Sequence, residues 1–341
     1  MKLITFVVPC YNSEDYMERC INSLLIAGED AEIIIINDGS SDRTGMIAHQ
    51  YEKLYPNIVR AVDKENGGHG SGVNKGLELA VGKYFKVVDS DDWLDKSALK
   101  KFMNSLRYWE KIGITLDLVI ANYIYDHMYE PEKSHKTSYR NIFKHGKLSS
   151  WSDMKPFLPS QYLIMHALYF RTEILREANV TLPEHMFYVD NIFSVQPLYL
   201  VKKICYLDID LYHYFIGRED QSVNESVHIK RIDQQIYITK YILKNVDMRA
   251  CRSLSRKLEM YQLRFLSIMM TICNVYLLKI GTEEALKKRK ELWEEVKSFD
   301  PNIYYYLRGF TLSGLTMLPG KAGRKLTVKG YDIAQKIVAF N

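Results

Sequence analysis

Cysteine is scarce and unpatterned: Cys10, Cys20, Cys205, Cys251 and Cys273 are odd in number, and no two stand in C-x-x-C spacing. That excludes a disulfide framework and a zinc ribbon, and it predicts free thiols in a reducing cytoplasm. Long hydrophobic runs are missing as well. The longest uncharged run, Phe265 to Leu278, is too short to span a bilayer and contains Asn274, so it predicts a buried helix. The N-terminus does not read as a secretory leader, because Pro9 and Asn12 interrupt the apolar run Leu3 to Val8 before a hydrophobic core can form. Charge of one sign is not in large excess: the net +5 is modest and gives no reason to invoke a nucleic-acid partner. Phosphate-binding glycine signatures fail too. Three residues after Gly70 and Gly72 stand Val73 and Lys75, and no G-x-x-x-x-G-K-[ST] occurs.

What remains is an ordinary globular composition, with 47% hydrophobic and 26% charged residues in 341, enough for one large domain with an extension or for two domains. The 25 tyrosines are many, and tyrosine suits polar grooves that bind sugars or bases. The most informative stretch is Lys86-Val87-Val88-Asp89-Ser90-Asp91-Asp92-Trp93, where an apolar strand runs out into three carboxylates within four residues. Carboxylates this close repel one another unless a cation sits among them. Mg²⁺ and Mn²⁺ take oxygen ligands from one or two carboxylates plus substrate phosphates, so the end of this strand reads as a metal–diphosphate site. The plain alternative is a loop followed by an Asx-type helix cap at Asp92 or Asp95.

Four strands are expected before that point. Leu3 to Val8 is a strand buried on both faces and broken at Pro9, with Ser13 capping a helix that carries Tyr16, Cys20, Leu24 and Leu25 on one face. Glu32 to Ile36 is a second strand ending in the turn-rich Asn37-Asp38-Gly39-Ser40, followed by a helix through Tyr51 and a third strand, Ile58 to Val62. This alternation implies parallel βαβ units. Asn66 to Gly76 reads as a flexible glycine loop opening a helix over Asn74 to Leu79, just ahead of the fourth strand. In a parallel sheet the strand ends carrying Tyr11, Asp38, the glycine loop and Asp89/Asp91 share one edge.

In that order, Val8-Pro9-Cys10-Tyr11-Asn12, Asn37-Asp38-Gly39-Ser40, Asn66-Gly67-Gly68 and Asp89-Ser90-Asp91-Asp92 resemble the successive motifs of family-2 glycosyltransferases. The likeness is specific to about residue 100 and looser to about residue 222. It implies an α/β fold of GT-A type, a mostly parallel sheet flanked by helices, over residues 1–222, with an α-helical region over 223–341. It also implies a hexosyl- or N-acetylhexosaminyl-transferase that uses a nucleotide sugar, UDP above all, and inverts the anomeric centre. By this resemblance Pro9, Tyr11, Asn12, Asp38, Asn66, Gly67, Asp89 and Ser90 bind the nucleotide sugar. Tyr11 would stack on uracil, Asp38 would accept its ring N–H, and Asp89 and Asp91 of the D-x-D sequence would hold Mn²⁺ or Mg²⁺. A core aromatic and a turn residue are the plain readings of Tyr11 and Asp38. Many members carry an Arg in the glycine loop, whereas Gly72-Val73-Asn74 stands here, leaving Lys75, Lys64 or the metal to supply that charge.

Farther on, Leu116 to Tyr125 is another strand, and Asp126 to Ser150, with three histidines, is a long polar loop suited to acceptor binding or merely variable. Trp151 and His166 read first as packing residues, although His166 precedes an apolar Ala-Leu-Tyr-Phe strand and could face the cleft. Asp190 lies among Met186, Phe187, Tyr188 and Ile192, where burial raises a carboxyl's pKa and suits a general base. In the family an acidic residue near this place, often in a Glu-Asp pair, deprotonates the acceptor. Here Val189 replaces the Glu, and Asp190 could instead cap the following helix. Tyr212-His213-Tyr214 and Arg218 to Ser222 resemble the closing segments of bacterial members, and Arg218 is either a phosphate partner or a solvated loop residue.

Past Val227 the chain reads as successive helices, including Ile232 to Asn245, Ser255 to Leu278 and Thr282 to Phe299. Residues 301–341 hold six basic residues and one acidic, so 6 − 1 = +5, the whole excess of the chain. With Tyr304, Tyr305, Tyr306, Phe310, Ile333, Val338 and Phe340 this is either a surface for anionic lipid or an ordinary helical cap. The expected acceptor is a glycan, teichoic-acid or lipid-linked hydroxyl, and the expected location is cytoplasmic or peripheral at the inner membrane face. Two rivals remain. A sugar-phosphate nucleotidyltransferase lacks support, since its glycine- and Arg-containing N-terminal signature is missing. A catalytically silent nucleotide-sugar-binding scaffold of the same fold fits the lost Arg and Glu.

Overall fold

The computed structural model describes residues 2–159, 161–217 and 225–338, and the chain divides into two compact units, one of residues 1–157 and 163–217, the other of residues 158–162 and 218–341. The Arg218-to-Ser222 segment lies outside the described residues.

The first unit is built on one ten-stranded sheet. Its strands are β1 (Ile4–Cys10), β2 (Ala31–Asp38), β3 (Val59–Lys64), β4 (Tyr84–Val87), β5 (Trp93–Leu94), β6 (Leu118–Asp126), β7 (His135–Thr137), β8 (Leu148–Ser149), β9 (Leu168–Arg171) and β10 (Ile204–Phe215). Its helices are α1 (Met17–Leu24), α2 (Thr44–Leu54), α3 (His69–Leu79), α4 (Lys96–Lys111), α5 (Thr172–Glu177) and α6 (Asp190–Val195). The main path runs β3-β2-β1-β4-β9-β6-β10-β5. The first four strands are parallel, as the βαβ spacing predicts, and so are β6 and β10. The sheet is nevertheless mixed, because β9 enters between β4 and β6 antiparallel to both. The chain leaves β1 toward β2 and β3 and returns on the other side at β4, which creates the switch point where open α/β sheets bind ligands.

Three local expectations are corrected. β1 does not stop at Pro9 but pairs with β2 through Cys10, in the register Pro9↔Ile36 and Cys10↔Asn37. Val7 C=O accepts from Val88 N–H on the β4 side. The alternation of a parallel strand therefore points the donor-less nitrogen of Pro9 to the same side, past the end of β4, where no partner is due. Ser13 does not cap α1, whose first turn has no side-chain cap; its hydroxyl instead meets Ser90 Oγ at 2.8 Å. The glycine stretch is not a loop beyond Gly68. It forms the first turns of α3, because its glycines let helix and strand close together: a Cβ on Gly76 would lie 2.2 Å from Val7 Cγ1, and one on Gly72 3.0 Å from Pro9 Cβ. The polar stretch after β6 also contains two short strands, β7 and β8. Asp95, one of the two expected caps, accepts from Ala98 N–H at 2.7 Å and starts α4.

From Glu225 on, the second unit is a succession of helices, α7 (Glu225–Lys230), α8 (Ile232–Asn245), α9 (Met248–Leu254), α10 (Arg256–Ile280), α11 (Glu283–Phe299), α12 (Pro301–Phe310), α13 (Leu312–Leu315) and α14 (Gly320–Val338), joined by short connections. Ser255, Thr282 and Asp300 cap α10, α11 and α12 by accepting backbone N–H groups. α10 is longer than the uncharged run inside it: at 25 residues it has the length and apolar composition of a membrane span, yet 67% of that window is buried. Leu266, Met270, Cys273 and Leu277 pack there with Trp293, Ile303 and Leu307. All five cysteines are free and buried.

Candidate active site

The strand ends named from the sequence share one edge of the first unit. Tyr11, just past β1, is 57% exposed, so it is not a core aromatic. Asn12 adopts a left-handed backbone (φ 47°), accepts from Ser41 N–H through Oδ1 at 2.9 Å, and donates its own N–H to Ser40 Oγ at 3.0 Å. These bonds tie the β1 and β2 loops together. Pro9 is buried beneath them.

Asp38, at the end of β2, is buried. Its carboxylate accepts from Lys64 Nζ at 2.6 Å, Gly67 N–H at 3.0 Å and Gly68 N–H at 2.7 Å, while Asn66 Nδ2 donates to its carbonyl at 2.8 Å. It therefore organises the Asn66-Gly67-Gly68 turn. Both lysines nominated to replace the missing Arg already hold carboxylates, Lys64 that of Asp38 and Lys75 that of Glu78.

Asp89 to Asp92 form a turn closed by Asp92 N–H to Asp89 C=O at 3.0 Å. Tyr212 of β10 anchors it twice, with its hydroxyl donating to Asp92 Oδ2 and accepting from Asp89 N–H at 3.2 Å. Asp92 Oδ1 accepts from Phe215 N–H at 2.8 Å. Register shifts in β10 between Leu207 and Tyr212 re-aim this tyrosine strand. Arg19 donates to Asp91 C=O at 2.7 Å while lying 3.8 Å over the Trp93 ring, and Ser90 faces Ser13. Burial pushes the Asp92 carboxyl well above its usual range, and the neighbouring charges of Asp91 and Asp89 add to it. Asp89 differs: burial raises it, but His69, whose Nε2 lies 2.9 Å from Asp89 Oδ1, outweighs that and holds the carboxyl below its usual value.

Among the described residues one group has metal-ligating atoms within 4.8 Å of one another: Asp89, Asp92 and His166. The His166 ring lies between Tyr212 (4.6 Å) and Tyr214 (4.4 Å), and its buried Nδ1 has no partner. Burial pushes this imidazole down to about 3, so it is neutral and has a lone pair to offer. Two carboxylates and a neutral imidazole suit a divalent cation, Mn²⁺ in particular. Behind them Lys86 is fully buried, donating to the Met165 and His166 carbonyls at 2.7 Å each and facing the rings of Tyr169 and Tyr212. Burial holds its ammonium well below the usual lysine range.

Asp190 is the first residue of α6, following Val189, which provides no side-chain cap. Its Oδ1 accepts from Asn191 Nδ2 at 3.4 Å, and its carboxylate also accepts from the backbone N–H groups of Asp190 and Asn191. The chain reaches it through left-handed His185 (φ 52°) and Tyr188 (φ 67°). Burial pushes the Asp190 carboxyl up to about 6; the charge of His69 opposes this and that of Asp89 adds to it. His69 thus interacts with both carboxylates, Asp89 and Asp190.

The comparisons with known proteins fit this geometry. Residues 5–165 match the sequence profile described as Glycosyl transferase family 2. The first part of the chain, up to residue 165, carries that family's sequence pattern. EpsH of Bacillus subtilis, a glycosyltransferase by name, is 30% identical over 229 residues, covering 62% of this chain and 60% of that protein. The poly(ribitol-phosphate) beta-glucosyltransferase of Bacillus spizizenii is 40% identical over 107 residues, 30% of this chain and 17% of that protein. The chain thus spans less than two thirds of the length of these relatives. In fold it is similar to S. aureus TarS 1–349 solved with UDP-GlcNAc: TM-score 0.67, 18% identity, covering 98% of this chain and 92% of that one. The fold of GT-A type with a helical C-terminal region follows from that match.

Sequence reasoning missed His69, Lys86 and Arg19 as parts of the site, and ranked His166 as packing. His69 was hidden by the loop reading of the glycine stretch. A histidine opening a helix beside a carboxylate-rich strand end was the signal for it. Lys86 breaks an otherwise apolar strand, and that charge in a buried run was a sign of a partner.

Proposed function

We propose that this protein transfers a sugar from a UDP-linked donor to a hydroxyl of a glycan, teichoic-acid or lipid-linked acceptor, with inversion at the anomeric carbon. The uracil lies on the exposed face of Tyr11 and gives its imide N–H to Asp38, whose two oxygens still have lone pairs beyond the three bonds they accept. Asn12, Asn66, Gly67 and Ser90 line the ribose and diphosphate path, with Pro9 supporting the floor. Asp89 and Asp91 would hold a divalent cation, with Asp92 and His166 offering further ligand atoms within 4.8 Å of that of Asp89. A cation bound there would neutralise the charge that builds on the departing diphosphate. Tyr212 and Arg19 keep the carboxylate turn in one geometry, so the donor meets a preformed site.

Asp190 takes the proton from the attacking hydroxyl at one of its carboxylate oxygens. Its raised pKa places it close to neutral pH, where a base is both ionised and strong enough to accept. Attack opposite the leaving group then gives inversion.

The observation that supports this reading best is that Tyr11, Asp38, Asp89 and the family-matched strand ends meet at one edge, with Asp190 electrostatically coupled to Asp89 and His69. The poly(ribitol-phosphate) relative and TarS support the donor and acceptor classes. The test is proton NMR of donor consumption with a panel of UDP-sugars, Mn²⁺, and teichoic-acid and polysaccharide acceptors. The expected product from an α-linked donor carries a β linkage. UDP binding without any turnover across the panel would overturn the enzyme reading in favour of a silent binder.

A further inference from the structure

The second unit leaves an apolar stripe uncovered. On α14, Leu326 is 62% and Ile333 49% exposed. Ala322 and Gly330 fall on the same side at helical spacing, so the stripe runs along the helix. The opposite side is the docked one: the Tyr331 ring lies 6.3 Å from that of Tyr276, and Asp332 pairs with Lys279 at 2.9 Å. Just before α14, Phe310 (81%), Leu312 (66%) and Leu315 (62%) are also turned to solvent. Scattered exposed apolar side chains need no explanation, but six large ones between Phe310 and Ile333, Leu318 included, do.

The charges say what covers them. Lys321, Lys325 and Lys329 are exposed along one flank of the stripe. Residues 301–341 contain a single acidic residue, Asp332, and Lys279 holds it. A second copy of the same face would set lysine flank against lysine flank with no carboxylate of this segment free to separate them. A helix with an apolar stripe and a lysine flank matches the interface of a bilayer with anionic headgroups, the stripe entering the acyl boundary and the lysines meeting phosphates.

We infer that the α14 face, with the Phe310–Leu315 turn, docks this protein on an anionic lipid surface. The inference does not rest on the transfer chemistry, and its test uses no sugar donor. The full chain is sedimented with vesicles of phosphatidylcholine alone or mixed with phosphatidylglycerol, at low and high salt. Wild type is expected to bind the mixed vesicles, to be released by salt, and to leave phosphatidylcholine unbound. One basic residue close to such a surface is worth about fivefold in partitioning, so Lys321→Glu, Lys325→Glu and Lys329→Glu together weaken binding by at least about a hundredfold. Leu326→Asp with Ile333→Asp also abolishes it, and circular dichroism checks that both variants fold; if the apolar pair does not fold, the lysine triple alone decides. Failure of wild type to bind mixed vesicles, equal binding to phosphatidylcholine, or unchanged binding by the folded lysine triple overturns the inference. So does a concentration-dependent dimer that the apolar pair abolishes, which would assign the face to a second copy.

Discussion

Replacing Asp190 by Asn separates its role in turnover from its cost to stability. The native carboxyl is pushed up to about 6 from an ordinary 3.8, chiefly by burial, with Asp89 adding and His69 opposing. A raised carboxyl pKa means the folded state holds the proton more tightly than the unfolded one. The sign of the linkage follows: stability falls as pH rises from about 4 to about 6, and the ionised group is a net cost above that. Two units at about 1.4 kcal/mol each set an upper bound near 3 kcal/mol, and because the carboxylate is partly open to solvent the retained cost is about 1–2 kcal/mol. Asn keeps the shape and removes the charge, so Asp190→Asn should be more stable than wild type at pH 7 by about that amount, and equal to it below about pH 4. Turnover should fall roughly 10²–10⁴-fold, the usual share of a general base, while UDP affinity holds. Wild-type turnover itself should rise with pH through about 6, as the base ionises. Urea unfolding at two pH values and initial rates of donor consumption give all the numbers. Near wild-type turnover in a folded, UDP-binding variant would remove Asp190 from the chemistry, and a loss of stability at pH 7 would refute the electrostatic argument.

Other substitutions probe the supporting geometry. Tyr11→Ala should weaken UDP binding by about 1–3 kcal/mol in calorimetry without moving the melting temperature, because the ring is solvent-exposed; an unchanged dissociation constant would deny the stacking role. Gly76→Ala should destabilise by about 1–3 kcal/mol, although Ala is the better helix former by up to about 1 kcal/mol, since its Cβ would meet Val7 at 2.2 Å. A more stable Gly76→Ala protein would mean that α3 does not pack on β1 this closely. Tyr212→Phe should cost about 1–3 kcal/mol by leaving Asp92 Oδ2 and Asp89 N–H without their shared partner, and it should weaken metal-dependent UDP binding; normal binding would show that the turn holds its shape without the tyrosine.

Much of this architecture is legible before any coordinates. Apolar β-branched runs such as Ile33 to Ile36 announce buried parallel strands, and the polar residues just beyond them mark the ligand edge, because both follow from local composition and spacing. The helical second unit is equally open to reading, and the residues at which its helices are expected to begin, Ser255 and Thr282, are the ones that cap them. What the sequence conceals depends on contacts far along the chain. The glycines of α3 read as loop because glycine is a poor helix former, whereas here packing against β1 overrides propensity. Pro9 reads as a strand end because its geometry is intolerable in most central strands, yet β4 stops in time to spare it. The short β5, β7 and β8 owe their place to tertiary pairing rather than to pattern, whereas β9 is announced by its apolar Ala-Leu-Tyr-Phe run. In the site, Asp38 and Asp89 could be nominated from their motifs. Their partners Lys64, His69 and Tyr212 lie 26, 20 and 123 residues away, distances at which spacing carries no signal.

The central claim is that the edge formed by Tyr11, Asp38, Asp89 and Asp91 binds a uridine diphosphate together with a divalent cation. Titration calorimetry of UDP into the wild-type protein and Asp91→Ala, each with Mn²⁺ and with a chelator, tests it most directly. The account predicts binding by wild type that requires Mn²⁺, and no metal-dependent binding by Asp91→Ala. UDP affinity that is the same with chelator, or undiminished in Asp91→Ala, would contradict it.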